Sequence, residues 1–359
     1  MKILIMGFAK LKYMPYLNFY LDHIDCKKHE VQVLYWNRDC CDELIPNKPI
    51  SFHEFKRFQD DDVPKANKIR NFIKYRNYAI RILKQDYDFI IVLHSIPGVL
   101  THKFLIKHYA GRFIYDYRDY TYEGIRFYKK LIHSLVNNSY KTFVSSDAFR
   151  INLPKTSKIS TSHNILLDSL NHRDEKLKNG VPSDKIRIAF WGFIRHEPVN
   201  RKIIEQVSKD SRFELHYYGK EQDVAKRLKQ YSVDIGAGNV TFHGEYKPED
   251  RYELVRSADL IHNIYHDTNM MLAMGNKYYD GAIFYIPQLC MKGSFMGEQA
   301  MKAGIGIKCD PYDNGFLDEV WVYYKSISKD EFNKKCDDEV ERVKRQYYEG
   351  IKVIKDAVD

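Results

Sequence analysis

Residues 274–289, MGNKYYDGAIFYIPQL, bring an amide, an ammonium and a carboxylate within about one helical turn: Asn276, Lys277 and Asp280. If a helix starts at or near Asn276, its free first-turn N–H groups and its dipole favour an anion, and Lys277 adds a point charge. Asp280, one turn on, can accept both hydroxyls of a ribose, as acids do in nucleotide sites of other α/β folds. The plainer alternative is an i,i+3 ion pair between Lys277 and Asp280, worth about 0.2–0.5 kcal/mol. A second set of candidates is the glycines that follow β-rich runs: Gly7, Gly192, Gly219 and Gly244. Without a Cβ, each allows a sharp exit from a strand and close approach of a ligand to the backbone, or does no more than end the strand. Neither Gly7 nor Gly192 opens a G-x-G-x-x-G, which disfavours a nicotinamide or flavin dinucleotide.

Positioning such residues takes a scaffold, and the chain supplies an alternating one. Strand-like runs at 2–6, 30–36, 50–55, 88–93, 112–117 and 142–145 are separated by helical patterns near 13–24, 64–84, 99–109 and 125–138. Residues 166–185 then turn polar and lose their period. A second series follows, with strands at 186–191, 213–218, 240–243, 259–264 and 305–308. Its helices fall near 200–209, 221–231, 248–257 and 277–283, and the 329–358 tail reads as one or two charged helices. Strands separated by helices imply right-handed crossovers and a doubly wound parallel sheet. The expected architecture is α/β, with two tandem Rossmann-like domains at 1–168 and 186–328, a linker at 169–185, and C-terminal helices at 329–359 that pack back on the first domain. Ligands are expected beyond the C-terminal strand ends, in a cleft where two such edges face.

Composition narrows the classes. A chain of 359 residues with 44% apolar and 29% charged residues, 18 Gly and 11 Pro is neither disordered nor fibrous, and its length favours two domains. The best apolar stretch, 89–100, is broken by His94, Ser95 and Pro97, so no spanning helix is expected. The opening residues read as a first strand rather than an export signal. Six cysteines show no C-x-x-C spacing, which points to a reducing cytoplasm and a metal-free protein. Asp60, Asp61 and Asp62, before Pro64, read as a solvated turn. The net charge of +9 is uneven: residues 1–150 hold 25 Lys and Arg against 16 Asp and Glu, whereas the remainder holds 32 of each. The first half is therefore expected to meet something anionic. Its densest patch, 65–84, places Ile69, Phe72, Ile73, Ile80 and Leu83 on one face, as in an ordinary surface helix or one lying against anionic headgroups.

The second half resembles the C-terminal domain of GT-B glycosyltransferases, in particular the family-4-like enzymes of bacterial capsule, O-antigen and exopolysaccharide synthesis. The resemblance spans roughly 186–310 and rests on IAFWGFIRHEPVNRKIIEQV, FELHYYGK, VTFHGEYKPEDRYELVRSADLIHN and an N-K-x-x-E/D helix followed by a strand after Pro. The first half matches more loosely, through YDYRD, FVSSDAF and HN. The resemblance implies that Arg195 and Lys277 hold a donor diphosphate, Asp280 the ribose, and Gly244, Glu245 and Tyr246 the region of the nucleobase. Gly192, Gly219 and Asn276 complete the donor side, and Gly7 stands on the acceptor side. Two departures stand out: Leu272 occupies the place of the first acid of the family's E-x7-E pair, and Tyr285 replaces a glycine before the strand proline.

On that resemblance the chain is a transferase using a UDP- or GDP-linked sugar as substrate, with no cofactor and no metal. The acceptor is a saccharide or a lipid-diphosphate-linked saccharide at the inner face of the plasma membrane, where the 65–84 helix makes a peripheral contact. An acceptor hydroxyl attacking the sugar's C1 must lose a proton, and Asp119, then His94, are the candidates to take or orient it. His94 can also be a sheet-end histidine with ordinary partners, and Asp116 or Asp119 can pair with Arg118. Two alternatives are a sugar-nucleotide 2-epimerase on the same fold and a non-catalytic nucleic-acid or membrane binder. The organised Arg195, Lys277 and Asp280 set argues against nucleic acid as the partner.

Overall fold

The computed structural model describes residues 1–60, 63–173, 184–247 and 250–358. Asp61 and Asp62 of the acidic turn, residues 174–183 of the expected linker, and Pro248 and Glu249 of the expected 248–257 helix lie outside them. The chain divides into two compact units: Met1–His163 with Arg345–Asp359, and Asn164–Lys344. The sequence reading ran the first domain to 168.

In chain order the first unit is built from β1 (Lys2–Met6), α1 (Leu17–Leu21), β2 (Glu30–Asn37), β3 (Ser51–Lys56), α2 (Lys65–Leu83), β4 (Phe89–Leu93), α3 (Ser95–Tyr109), β5 (Phe113–Tyr117), α4 (Arg126–Asn138), β6 (Lys141–Val144) and β7 (Ile159–Thr161). Its seven strands run parallel in the order β3-β2-β1-β4-β5-β6-β7. The runs FIIVL and FIYDY are buried at every position, as strands covered on both faces must be. β1 is adjacent to both β2 and β4, so the order reverses there and the strand-end loops after β1 and β4 open beside one another.

Three local expectations change. The helix expected near 13–24 shortens to α1, Leu17–Leu21. α3 starts at Ser95 rather than near 99, so β4 passes into it through a single residue, His94. α2 buries Asn71, Tyr75, Ala79, Ile82 and Leu83, whereas Ile69 and Ile73 of the expected apolar face stand in water. Tyr75 and Phe72 pack against Phe8 and Trp36 at the sheet, and that aromatic cluster sets the rotation of the helix.

The second unit contains β8 (Ile186–Trp191), α5 (Glu197–Ser208), β9 (Phe213–Tyr218), α6 (Asp223–Asp234), β10 (Val240–Gly244), α7 (Arg251–Ser257), β11 (Leu260–Asn263), α8 (Asn276–Ile283), β12 (Gln288–Met291), α9 (Phe295–Ala303), β13 (Gly306–Cys309) and α10 (Phe316–Ser326). Its six parallel strands run β10-β9-β8-β11-β12-β13. The expected α/β architecture with two doubly wound parallel sheets is what the chain forms. The tail is one helix, α11 (Lys329–Val358), of 30 residues. Its residues from Arg345 on belong to the first unit, where Ile351, Ile354 and Val358 join the core with Phe19 and Phe143. Among the described residues no helix is long and apolar enough to cross a membrane, and no cluster of three His, Cys, Asp or Glu side chains is arranged to hold a metal ion.

Candidate functional site

The strand ends of the second unit are organised by glycine. The Gly192 N–H donates to the Tyr218 carbonyl at 2.9 Å, and the Gly219 N–H to the Gly244 carbonyl at 2.8 Å, so the exits of β8, β9 and β10 lie side by side. A Cβ on Gly219 would collide with the Gly192 carbonyl oxygen, and Gly192 has a φ of +118°. Gly219 requires glycine because the backbones themselves approach, and Gly192 because of its left-handed φ.

Beside Gly192 stands Lys277. Its Nζ is 3.9 Å from the point a Gly192 Cβ would occupy. It lies 4.2 Å from the centre of the Phe190 ring and 5.3 Å from that of Tyr265. Among the described residues this ammonium has no hydrogen-bonding or acidic partner. Loss of water pushes its pKa down to about 8, against the opposing pull of the Asp280 charge. Lys277 is the second residue of α8, which begins at Asn276 with no side chain capping it. An uncapped helix start and an unpaired ammonium together form an electropositive corner.

Asp280 is buried on the same helix. Its Oδ2 accepts from the Trp191 indole at 3.0 Å and its Oδ1 from Arg251 Nη2 at 2.6 Å. The same Arg251 nitrogen donates to Ser169 Oγ at 2.8 Å, and Arg251 Nε is buried without a partner. Burial raises the Asp280 pKa, while Arg251, the indole and Lys277 pull it back. Each carboxylate oxygen thus already accepts one hydrogen bond from the protein, and one acceptor site on each is left for a diol. The alternative ion pair of Lys277 with Asp280 does not form; Arg251 takes the acid instead. Tyr246, half-buried, feels the charges of Asp280 and Arg251 and so belongs to this cluster, whereas Glu245 is exposed.

Arg195 is exposed, with its guanidinium 4.3 Å from the Phe193 ring centre. The next residue, His196, has a φ of 58° at the start of α5 and pairs with Asp267 at 3.2 Å. Burial pushes the His196 pKa down, against the pull of Asp267. Sequence reasoning missed Trp191, Arg251 and the His196–Asp267 pair. Trp191 carried a usable signal, an indole closing a strand just before Gly192, whereas Arg251 and Asp267 reach their partners only through the fold.

In the first unit, His94 connects β4 to α3 with φ 80° and ψ 160°. A β-substituted residue held there stores strain of order 1–3 kcal/mol, which the surroundings must over-determine. Two contacts do so: the His94 N–H donates to the Asp116 carbonyl at 2.8 Å, and Nε2 meets Asp119 Oδ2 at 2.7 Å. His94 Nδ1 is buried without a partner. The adjacent Ser95 hydroxyl bonds Thr121 at 2.8 Å, and the Thr121 N–H donates to Glu123 at 2.6 Å, fixing the loop that carries Asp119. The two alternatives for the YDYRD acids are divided between them. Asp116, wholly buried, is gripped by Arg118 at 2.7 Å and by the Tyr20 hydroxyl at 2.7 Å, while Asp119 pairs with His94 and keeps 41% of its side chain exposed. Gly7 is closed in: a Cβ there would strike the Met14 thioether, and the Tyr75 hydroxyl donates to its carbonyl.

No family model matches the sequence, and no curated protein matches it. Solved structures do match. Sucrose-phosphate synthase from Thermosynechococcus elongatus is similar over 98% of this chain and 96% of its own, at 11% identity and a TM-score of 0.71. A glycosyltransferase from Rickettsia africae ESF-5 covers 100% and 99% at 15% identity and a TM-score of 0.66. Anabaena Alr3699/HepE, solved with UDP and glucose, covers 95% and 99% at 13% identity and a TM-score of 0.59. The chain has the fold of the GT-B glycosyltransferases, two Rossmann-like units in one polypeptide.

Proposed function

We propose that this chain is a glycosyltransferase that moves a sugar from a UDP- or GDP-linked donor to a saccharide or lipid-diphosphate-linked acceptor, in bacterial surface polysaccharide synthesis at the inner membrane face. The observation that carries the reading is the Lys277 ammonium: unpaired among the described residues, set over two rings at the first turn of α8, beside a glycine that leaves room for a ligand. A buried cation without a carboxylate is costly unless an anion arrives, and a diphosphate is an anion of the right charge.

In this reading Lys277, the α8 N-terminus and Arg195 stabilise the negative charge that grows on the diphosphate as the C1–O bond breaks, so no metal is required. Asp280 holds Arg251 and Trp191 against the site, and the Gly244–Tyr246 segment borders the nucleoside. On the acceptor side, exposure favours Asp119 over His94 as the group that takes the hydroxyl proton. The Asp119 carboxylate is open to solvent, while His94 presents Nε2 to Asp119 and buries Nδ1. His94 then orients Asp119.

The test is thermal-shift titration of the pure protein with UDP, GDP, CMP and their sugar conjugates, repeated on Lys277→Ala and Asp280→Ala. One nucleotide is expected to raise the melting temperature, with the shift lost in Lys277→Ala. No shift with any nucleotide overturns the reading. A nucleotide sugar converted to its 2-epimer without any acceptor would replace the transferase by the epimerase.

A further inference from the structure

The turn between β8 and α5 is held from behind by side-chain amides. Asn200, four residues into α5 and 3% exposed, donates from Nδ2 to the Arg195 carbonyl at 2.6 Å and to the His196 carbonyl at 3.1 Å. Gln222, at the start of α6, donates from Nε2 to the Ile194 carbonyl at 3.0 Å. Three successive carbonyls therefore point into the unit. Across a planar trans peptide the C=O and the N–H run in opposite directions, so the N–H groups of Arg195, His196 and Glu197 face the other way.

The other side of Asn200 is equally engaged. Its Oδ1 accepts from the Tyr217 hydroxyl at 2.7 Å and from His262 Nε2 at 2.9 Å, while His262 Nδ1 accepts the Ile264 N–H at 3.1 Å. Two carbonyls demand two N–H donors, which fixes the amide's orientation, and the Ile264 N–H fixes the histidine as its Nε2–H tautomer. Burial pushes the His262 pKa down to about 3, so the ring is neutral and these bonds keep one direction in neutral solution. His262 also grips the exit of β11. That exit carries Tyr265, whose ring lies 5.3 Å from the Lys277 ammonium and 5.6 Å, edge-on, from the His196 ring. One asparagine thus ties together the two loops that flank the ammonium. His196 itself sits at φ 58° and ψ 55°, a left-handed conformation that persists only where the surroundings over-determine it.

We infer that Asn200, backed by Tyr217 and His262 and assisted by Gln222, is a positioning residue for donor recognition, holding the 194–196 turn so that Arg195 and the turn's N–H groups meet the diphosphate. Asn200 itself touches no ligand atom. This deepens the proposed function and rests on that reading's placement of the diphosphate beside Lys277. The competing account is a buried network that stabilises the unit and does nothing for the ligand. The two differ in what they do to a nucleotide relative to its own nucleoside.

Asn200→Asp keeps both acceptor bonds and the side chain's shape, but sets a carboxylate oxygen against the two carbonyls. Gln222→Met removes only the bond to Ile194 and spares the buried network. The full-length proteins are titrated by calorimetry with UDP and uridine, or with GDP and guanosine, whichever nucleotide binds the wild type. A turn released from its amides is competent for only part of the time, and affinity falls by that fraction. Nucleotide affinity is expected to fall about 30-fold in Asn200→Asp, for two bonds, and about fivefold in Gln222→Met, for one, with nucleoside affinity within about twofold of the wild type in both. If Asn200→Asp does not fold, Gln222→Met decides by the same ratio. Equal losses for nucleotide and nucleoside, or no loss in either variant, overturn the inference and leave the donor reading standing. A wild type that binds neither UDP nor GDP overturns both.

Discussion

The strand ends of the two units use similar residues and settle their charges in opposite ways. In the first unit three strand-end cations have an acid: Lys10 with Asp39 at 2.6 Å and Glu43 at 3.7 Å, Arg118 with Asp116, His94 with Asp119. In the second, Lys277 and Arg195 lie over aromatic rings, with no acid partner among the described residues. Paired groups in a buried loop fix its shape, and removing one partner strands the other. An unpaired ammonium at a helix start fixes little and awaits a charge from outside. The glycines follow the same division. Gly7 is roofed by Met14 and bonded by Tyr75, whereas Gly192 and Gly219 pass each other at backbone contact and leave space toward Lys277.

The largest effect that would sharpen this contrast is on the first unit's exposed acid. Asp119→Asn keeps the side chain's shape and removes its basicity, so transfer is expected to fall about 10³-fold, within the range of general-base losses. Nucleotide affinity, read by thermal shift, should not change, since the proposed donor groups are in the other unit. Equal loss of affinity and rate would dissolve the division of labour. Lys277→Ala comes next: kcat/KM and nucleotide affinity should fall together by about 10²-fold, as for removal of one group that stabilises developing charge. An unaffected affinity would mean that the ammonium is merely a packed side chain.

Much of this was legible from residue order. The strand–helix alternation gave eleven of the thirteen strands because most are short apolar runs bounded by glycine or polar residues, while β7 and β12 were not in it; Asn276 opens α8 as the spacing predicts. His94 and Asp119 were named separately, and the fold brings them to 2.7 Å. What was illegible depends on rotation and on distant partners. The apolar face of α2 was misread because its sequence holds two apolar stripes, and only Phe8 and Trp36, from elsewhere in the chain, decide which one turns inward. Asp280 was read as a ribose acceptor, with an ion pair to Lys277 as the plainer alternative, and neither reading foresaw that Arg251, 29 residues away, bonds its carboxylate. The +9 excess pointed to the first half as the place for an anion. The fold puts much of that charge on α2–α4 and leaves the unpaired strand-end ammonium in the half that is neutral overall.

The two glycine settings predict different costs for the same added methyl. Gly219→Ala drives a Cβ into the Gly192 carbonyl, which is backbone and cannot swing away, so a loss of about 2–3 kcal/mol is expected together with loss of nucleotide binding. Gly7→Ala meets the flexible Met14 thioether, which can repack, and should cost about 1 kcal/mol with nucleotide binding intact. Denaturant unfolding of both variants checks the pair. Equal losses would mean that the exits of β8 and β9 have more freedom than their hydrogen bonds suggest.

The smallest effect is a matter of protons. Lys277 has a folded-state pKa of about 8, below the ordinary 10.5, because its ammonium is stripped of water. A lowered lysine pKa means that the unfolded chain binds more protons between those values. Lys277 therefore opposes folding in full below about pH 8, and that penalty is relieved as pH rises toward 10.5. A diphosphate arriving beside the ammonium favours the charged form and lifts the pKa back. Between about pH 8 and 9, nucleotide binding should then take up a fraction of a proton, and affinity should fall by up to about tenfold per pH unit above 8. Calorimetric titration in buffers of different ionisation enthalpy measures that uptake directly, and Lys277→Arg, charged throughout the range, should abolish it even where some affinity survives. Proton uptake that persists in Lys277→Arg would place the titrating group elsewhere; His196, whose pKa burial also lowers and which feels the Lys277 charge, is one basic group at that corner.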